Sequence, residues 1–491
     1  MHFKTGSERG QLILFNNLED SITLDNPVRL IDALVDKLYN HDTSNFEYKG
    51  RSLMGQKAYP PTLFMKLYLY GYLNRISSSR RLEAETHRNI EVKWLLCDMH
   101  PDYKTISDYR KDNKQAIRQV TLDFRKFLIQ EGYIEGNKIT YDGSKIKACS
   151  SRDKVITTTN LNLRLQNLEK QLDTYLEQLS GNDQVEDLRE DLSTLSVELG
   201  IDQSVLEEIS NLRSRIAELE SLQSKMKSEK KNSYCPTDPD ARLMKSRDGH
   251  IPAYNLQTGT DSKHKLIVFS ELSNHTNDIQ LLENDYYITI EQTGIEPELV
   301  LADTGYGNLQ QIESIESITQ TQCAIPIVEH ASKTKDKKNG ITFTYDEGTD
   351  SYQCVEGNIL EHKGNTVHAN MSYKIYRAKK QQCFNCPLRD KCTSSKHGRA
   401  IKIPENNRFK NEYLKRMSTA EMKKLSKERK TLIEHVFGTL KRWMGKVPIL
   451  LTSQKKVQIE IDLYATVYNI RRLFSIETTP NLLKQIENYA C

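Results

Sequence analysis

Nothing in this sequence approaches the roughly 18 consecutive apolar residues that a membrane helix needs. The opening residues, MHFKTGSERGQLILFNN, lack a charged stretch followed by a long apolar core, so no secretory leader is expected. Cysteine is sparse: nine in 491 residues do not make the disulfide framework of a small secreted fold. A strong overall charge is missing too, the formal net value being +4. These absences point to a soluble, cytoplasmic protein with no membrane partner, long enough to hold two to four domains around buried cores.

The charge that is present is unevenly placed. Residues 402–446 carry 13 Lys and Arg against 5 acids, whereas residues 158–229 carry 7 against 15. The basic block suggests a polyanionic partner, or else a solvated helix surface, and the acidic block a solvated face.

Periodicity divides the chain. Over residues 1–135 short amphipathic helices follow one another. The first is NPVRLIDALVDKLY, where Asn26 caps, Pro27 takes the first helical position, and Leu30, Ile31, Leu34, Val35 and Leu38 form an apolar stripe. Arg80, Arg81, Arg110 and Lys111 are expected at the surface. This helical N-terminal domain fits DNA binding of the helix-turn-helix kind and fits dimerisation equally well. Residues 137–148 read as a strand. Over 158–232 the apolar residues repeat as a heptad seam, Leu161, Leu165, Leu168, Leu172, Tyr175 and Leu179, and again over Leu188–Leu199 and Ile209–Met226. Breaks near Gly181 and Gly200 predict an inserted coiled-coil arm folded as a helical hairpin. Strands return at 251–272 as a hairpin, followed by an amphipathic helix and the apolar run PELVLADTGYGN. That order describes an α/β sheet with an insertion.

Three acids occupy related places. Asp142 lies on the first strand, Asp303 at the end of a later one, and Glu434 on the basic helix KERKTLIEHVFGTLKRWMG. Gly438 and Lys441 follow Glu434 along one helical stripe. Each acid also has a plain reading: a turn at Asp142-Gly143, a cap at Asp303, a surface ion pair at Glu434. Convergent carboxylates suit hard divalent cations, and without a cation they would repel one another.

In YDGSKIKA, LADTGYGN and IEHVFGTLKRWMG the sequence resembles bacterial insertion-sequence transposases of the DDE class. PTLFMKLYLYGYLNRISSSRRLEAETHRNIEVKWLL and AYNLQTGTDSKHKLIV extend the resemblance over most of the chain; the heptad arm is its weakest part. The resemblance implies an α/β ribonuclease-H-like catalytic domain with a helical N-terminal domain, an inserted coiled-coil arm and a small Cys-rich insertion. The catalytic domain would occupy residues 136–157, 233–330 and 401–491, the arm 158–232, and the Cys-rich insertion 331–400. Asp142, Asp303 and Glu434 would be the catalytic triad holding two Mg²⁺ or Mn²⁺ ions. Lys441, Arg442, Lys430 and Arg429 would contact DNA phosphates, and Gly438 would admit a close strand or nucleic acid. Where the family signature has Tyr and Arg seven and four residues before the Glu, this chain has Lys427 and Lys430. The activity implied is metal-dependent cleavage at the ends of the element and strand transfer into target DNA, by a homodimer. The rivals are a ribonuclease-H-like nuclease without strand transfer and a non-catalytic, zinc-bearing DNA-binding protein.

In the Cys-rich insertion, Cys383, Cys386 and Cys392 form CFNCPLRDKC, and Cys354 lies upstream. Four thiolates would close a tetrahedral structural Zn²⁺ site, with His362 or His368 able to replace one. The alternative is a set of reduced, unligated thiols. Trp443 reads as a packing residue.

Overall fold

The computed structural model describes residues 17–39, 58–180, 203–229, 231–246, 249–327, 336, 339–368, 371–404, 407–443 and 449–489. Six helices open the chain: α1 (Pro27–Tyr39), α2 (Pro61–Leu73), α3 (Ser79–Arg88), α4 (Ile90–Leu95), α5 (Tyr103–Asp112) and α6 (Lys114–Gln130). Asn26 caps α1, its Oδ1 accepting from the Val28 amide at 2.9 Å. The predicted stripe from Leu30 to Leu38 is buried.

Next comes β1 (Lys138–Lys147). A two-strand base, β2 (Ile156–Thr157) with β3 (Ser233–Tyr234), carries the helices α7 (Thr158–Ser180) and α8 (Gln203–Ser228). Leu161 and Leu165 of α7 pack with Met226 of α8, and the Gln223 side-chain amide donates to Asn162 Oδ1 at 2.9 Å. Leu188, Leu192, Leu195 and Leu199 lie outside the described residues.

The main sheet adds β4 (Arg242–Ser246), β5 (Gly249–Asp261), β6 (Ile267–Ser273), β7 (Leu299–Leu301) and β8 (Gln322–Ala324) to β1. Its order is β4-β5-β1-β7-β8, with β6 also on β5; β1 runs antiparallel to β5 and parallel to β7. Helices α9 (Leu282–Thr293) and α10 (Leu309–Ile318) cover one face. A second sheet, β9 (Phe343–Asp346), β10 (Ser351–Cys354), β11 (Ile359–His368), β12 (Met371–Ala378) and β13 (Ala400–Pro404), carries the short helices α11 (Lys380–Phe384) and α12 (Arg389–Cys392). The chain closes with α13 (Asn407–Met417), α14 (Ala420–Gly438), a π-helical turn Thr439–Trp443, α15 (Gln454–Leu473) and α16 (Thr479–Asn488). The architecture is mixed α/β.

The opening helices share a core with the end of the chain. Leu67, Tyr68 and Phe124 are buried in one cluster with Leu463, Val467 and Leu482. Side chains of this size stabilise by about 1.5–3 kcal/mol each when fully buried. Polar groups lock the same seam. Arg118 Nη1 sits 2.6 Å from Asp462 Oδ1 on α15, and Arg110 Nη1 3.6 Å from Glu460 Oε1. This corrects the expectation of a surface Arg110: it is 3% exposed, with Glu460 and the Tyr72 hydroxyl as its partners. Arg80, Arg81 and Lys111 are exposed as expected.

Candidate active site

β1 is longer than its parallel neighbour. The last β1–β7 pair is Thr140 with Leu301, so Asp142 projects beyond the end of β7, next to the turn that starts at Asp303. Asp142-Gly143 is therefore strand, paired with Thr258 and Gln257 of β5, and not the turn that the dipeptide allows. Alternation puts Asp142, Ser144 and Ile146 on the face covered by α14 and α15, where Ile146 meets Phe437 and Ile461. Tyr141 faces α9 instead, its hydroxyl donating to Thr289 Oγ1 at 2.8 Å.

Asp303 caps the 3-10 turn Thr304–Tyr306, accepting from the Gly305 amide at 2.8 Å. A Cβ at Gly305 would stand 2.8 Å from Asp303 Oδ1, so glycine leaves the carboxylate its room. Burial pushes the proton affinity of Asp142 up to about 6, and the Asp303 charge adds to the effect. Arg429 acts against it, with Nη1 3.8 Å from Asp142 Oδ2.

A third carboxylate, which the sequence reading missed, stands beside them. Asp278, in the loop between β6 and α9, adds to the charge that Asp142 feels. Its Oδ1 accepts from Asn255 Nδ2 at 2.6 Å and Gln257 Nε2 at 2.8 Å, and Lys145 Nζ lies 3.7 Å away. Tyr306, just past Asp303, donates its hydroxyl to Gln257 Oε1. The local sequence, NHTND, looks like an ordinary polar loop. The only trace of a role was an acid following a strand that itself pairs on β5.

Glu434 is not brought to this group. Helix α14 crosses the Asp142 face and buries Leu432, Ile433 and Val436, which sets its rotation and leaves Glu434 exposed. Lys430, Gly438 and Lys441 share that exposure, so the predicted stripe exists as an open one. Lys441 Nζ lies 5.5 Å from the Phe437 ring centre. Among the described residues a Cβ at Gly438 would meet nothing within 4 Å, and none of their strands approaches it. Arg429 is turned inward to Asp142, with a side chain 14% exposed, while the side chains of Arg442 and Trp443 fall outside the described residues.

The thiols of Cys383, Cys386 and Cys392 lie near one another: burial raises the Cys392 pKa first, and the Cys383 and Cys386 charges add to it. Cys383 and Cys354 pack on one small apolar core, and Cys383 Sγ accepts from the Arg399 amide at 3.3 Å. The His362 ring bonds Asn365 through Nε2 at 2.9 Å; the side chain of His368 lies outside the described residues. Among the described residues no group of three or more His, Cys, Asp or Glu side chains is arranged to hold a metal ion. The expected four-thiol tetrahedron is thus not assembled. No described helix is long and apolar enough to cross a membrane.

Two family models match the chain. A transposase DDE domain matches residues 353–474, a span that holds Glu434 but neither Asp142 nor Asp303. A transposase domain of the DUF772 type matches residues 16–112, the opening helices. No curated protein and no solved structure matches.

Proposed function

Since the chain belongs to the DDE transposases of insertion sequences, enzymes that cleave and join DNA, we propose that Asp142, Asp303 and Glu434 are its metal-binding triad. A transposase DDE domain uses divalent ions, generally Mg²⁺, and implies a ribonuclease-H-like core. The observation that carries the reading is the placement of two partly buried acids, Asp142 and Asp303, just beyond the last β1–β7 pair, where the charge of Asp303 adds to the raised proton affinity of Asp142. Two hard oxygen donors that repel each other suit a divalent cation. Such ions would supply Lewis-acid activation of the attacking oxygen and charge stabilisation of the leaving one in phosphoryl transfer.

In this reading a water oxygen attacks the phosphodiester at the element's end and releases a 3′-hydroxyl. That hydroxyl then attacks a target phosphodiester, joining the strands. The chain supplies position and charge. Asp142, within β1, and Asp303, in the turn after β7, would hold the ions. Glu434, which this structure leaves exposed on α14, would be the third acid of the set, as the family resemblance supplies it. Lys430 and Lys441, exposed on the same stripe, hold phosphates to either side. A homodimer, with the α7–α8 arm as one contact, is the assembly we favour.

Asp142→Ala, Asp303→Ala and Glu434→Ala should each abolish Mg²⁺-dependent cutting of DNA bearing the element's ends while specific end binding persists. Robust cutting by any one of them would remove that residue from the triad. Cutting by the unaltered chain without joined target products would leave hydrolysis as its only reaction.

A further inference from the structure

Asp142 lies within β1 and Asp303 just past β7, and nothing in the main-chain ladder between those two strands fixes their separation, because β1 and β7 stop pairing at Thr140 and Leu301. Side chains make the connection instead. Tyr306, three residues after Asp303, donates to Gln257 Oε1. Gln257 pairs across β5 with Gly143, the neighbour of Asp142, and its amide nitrogen donates to Asp278 Oδ1 at 2.8 Å. Asn255 Nδ2 donates to the same oxygen at 2.6 Å and to the His275 carbonyl at 3.2 Å, anchoring the loop that bears Asp278. Tyr306, Gln257 and Asn255 are all at most 1% exposed, so each bond is made away from water, where a lost partner is costly.

The Asp278 carboxylate also sits where a side chain on residue 143 would be. A Cβ built on Gly143 falls 2.5 Å from Asp278 Oδ1 and 2.9 Å from Gln257 Nε2. Glycine after Asp142 is thereby explained by packing, with no appeal to a turn. On the other side, Asp278 Oδ2 lies 3.6 Å from a Cβ position at Gly305, two residues after Asp303. One carboxylate is wedged between the backbone next to each of the paired acids.

Resting on the reading of Asp142 and Asp303 as the paired metal-binding acids, we propose that Asp278 and Gln257 are positioning residues that set the spacing of those two carboxylates. Asp278 acts by accepting from the Asn255 and Gln257 side chains and by filling the space beside Gly143 and Gly305, and Gln257 acts by accepting from the Tyr306 hydroxyl, not by touching the ions or DNA. Groups that orient metal ligands in this way are worth about 10- to 100-fold in metal affinity.

The test uses the full chain and Mn²⁺ alone, with free Mn²⁺ followed by its electron paramagnetic resonance signal. Asp278→Ala is expected to weaken Mn²⁺ binding at least about tenfold, whereas Asp278→Asn, whose side-chain oxygen still accepts from Asn255 and Gln257, stays within about threefold of the parent. Tyr306→Phe, which leaves Gln257 Oε1 without its donor, should weaken binding in the same direction and decides the matter if Asp278→Ala fails to fold. Unchanged Mn²⁺ affinity in Asp278→Ala or, should that variant not fold, in Tyr306→Phe overturns the proposal. So does an Asp278→Asn defect as large as that of Asp278→Ala, because it would make Asp278 a charge in direct contact with the ion. Asp142→Ala and Asp303→Ala serve as controls. If neither lowers Mn²⁺ affinity, the reading of the paired acids is wrong and this inference falls with it.

Discussion

Arg429 of α14 holds its guanidinium 3.8 Å from the carboxylate of Asp142 on β1, so the basic helix reaches this acid through a cation and not through Glu434. Burial and Asp303 raise the proton affinity of this acid and Arg429 lowers it, with a net value of about 6. Removing the cation must therefore raise that affinity further, and metal has to compete with the bound proton at higher pH. Arg429→Ala should shift the pH midpoint of Mn²⁺ binding upward by about one pH unit. A midpoint that stays put, or moves down, would show that the Arg429–Asp142 contact does not govern the site's charge.

Asp285 gives a second titration, away from the paired acids. It is 2% exposed on α9, its Oδ2 has no hydrogen-bond partner, and burial raises its pKa to about 8, with the Asp278 charge adding to the shift. The folded chain therefore holds a proton that the unfolded chain loses near pH 4. The folded state binds more protons between those values, so stability falls as pH rises from about 4 to about 8 and levels off above. Asp285→Asn should remove that slope and stabilise the chain at pH 8 by about 2 kcal/mol or more. Urea unfolding at pH 5 and pH 8 measures both quantities.

Lys430 and Lys441 project from the exposed stripe that also holds Glu434. If each neutralises one phosphate, replacing either with Ala should lower the slope of log affinity against log salt by about 1, with similar losses on different DNA sequences. Affinity measured for end DNA from 50 to 300 mM salt checks this. A parallel shift with unchanged slope would assign the two lysines to packing.

Several elements could be read before any fold was known. The Asn26 cap and the apolar stripe of α1, the strand at 138–147, the hairpin of β5 and β6 and the long basic helix all follow from local periodicity and capping chemistry, which neighbouring residues decide among themselves. The sequence also marked Asp142 and Asp303 as candidates, because Asp142 lies on a strand, Asp303 ends an apolar run, and each falls in a stretch that resembles the family.

Tertiary structure decided what no local pattern contains. Arg110 looked like a surface charge and is buried, because α15, some 350 residues later, supplies Glu460. Asp278 looked like part of a polar loop, and only the pairing of β1 with β5 places Gln257 beside it and Gly143 beneath it. Glu434 was legible as a residue of the helix but not in its direction. The apolar side of α14 seats itself on the sheet, and that burial, far larger than any single charge interaction, fixes which way the acid faces. Periodicity is a property of a few adjacent residues, whereas proximity across the fold is set by which surfaces bury each other. The former is written in the sequence; the latter exists only once the chain has packed.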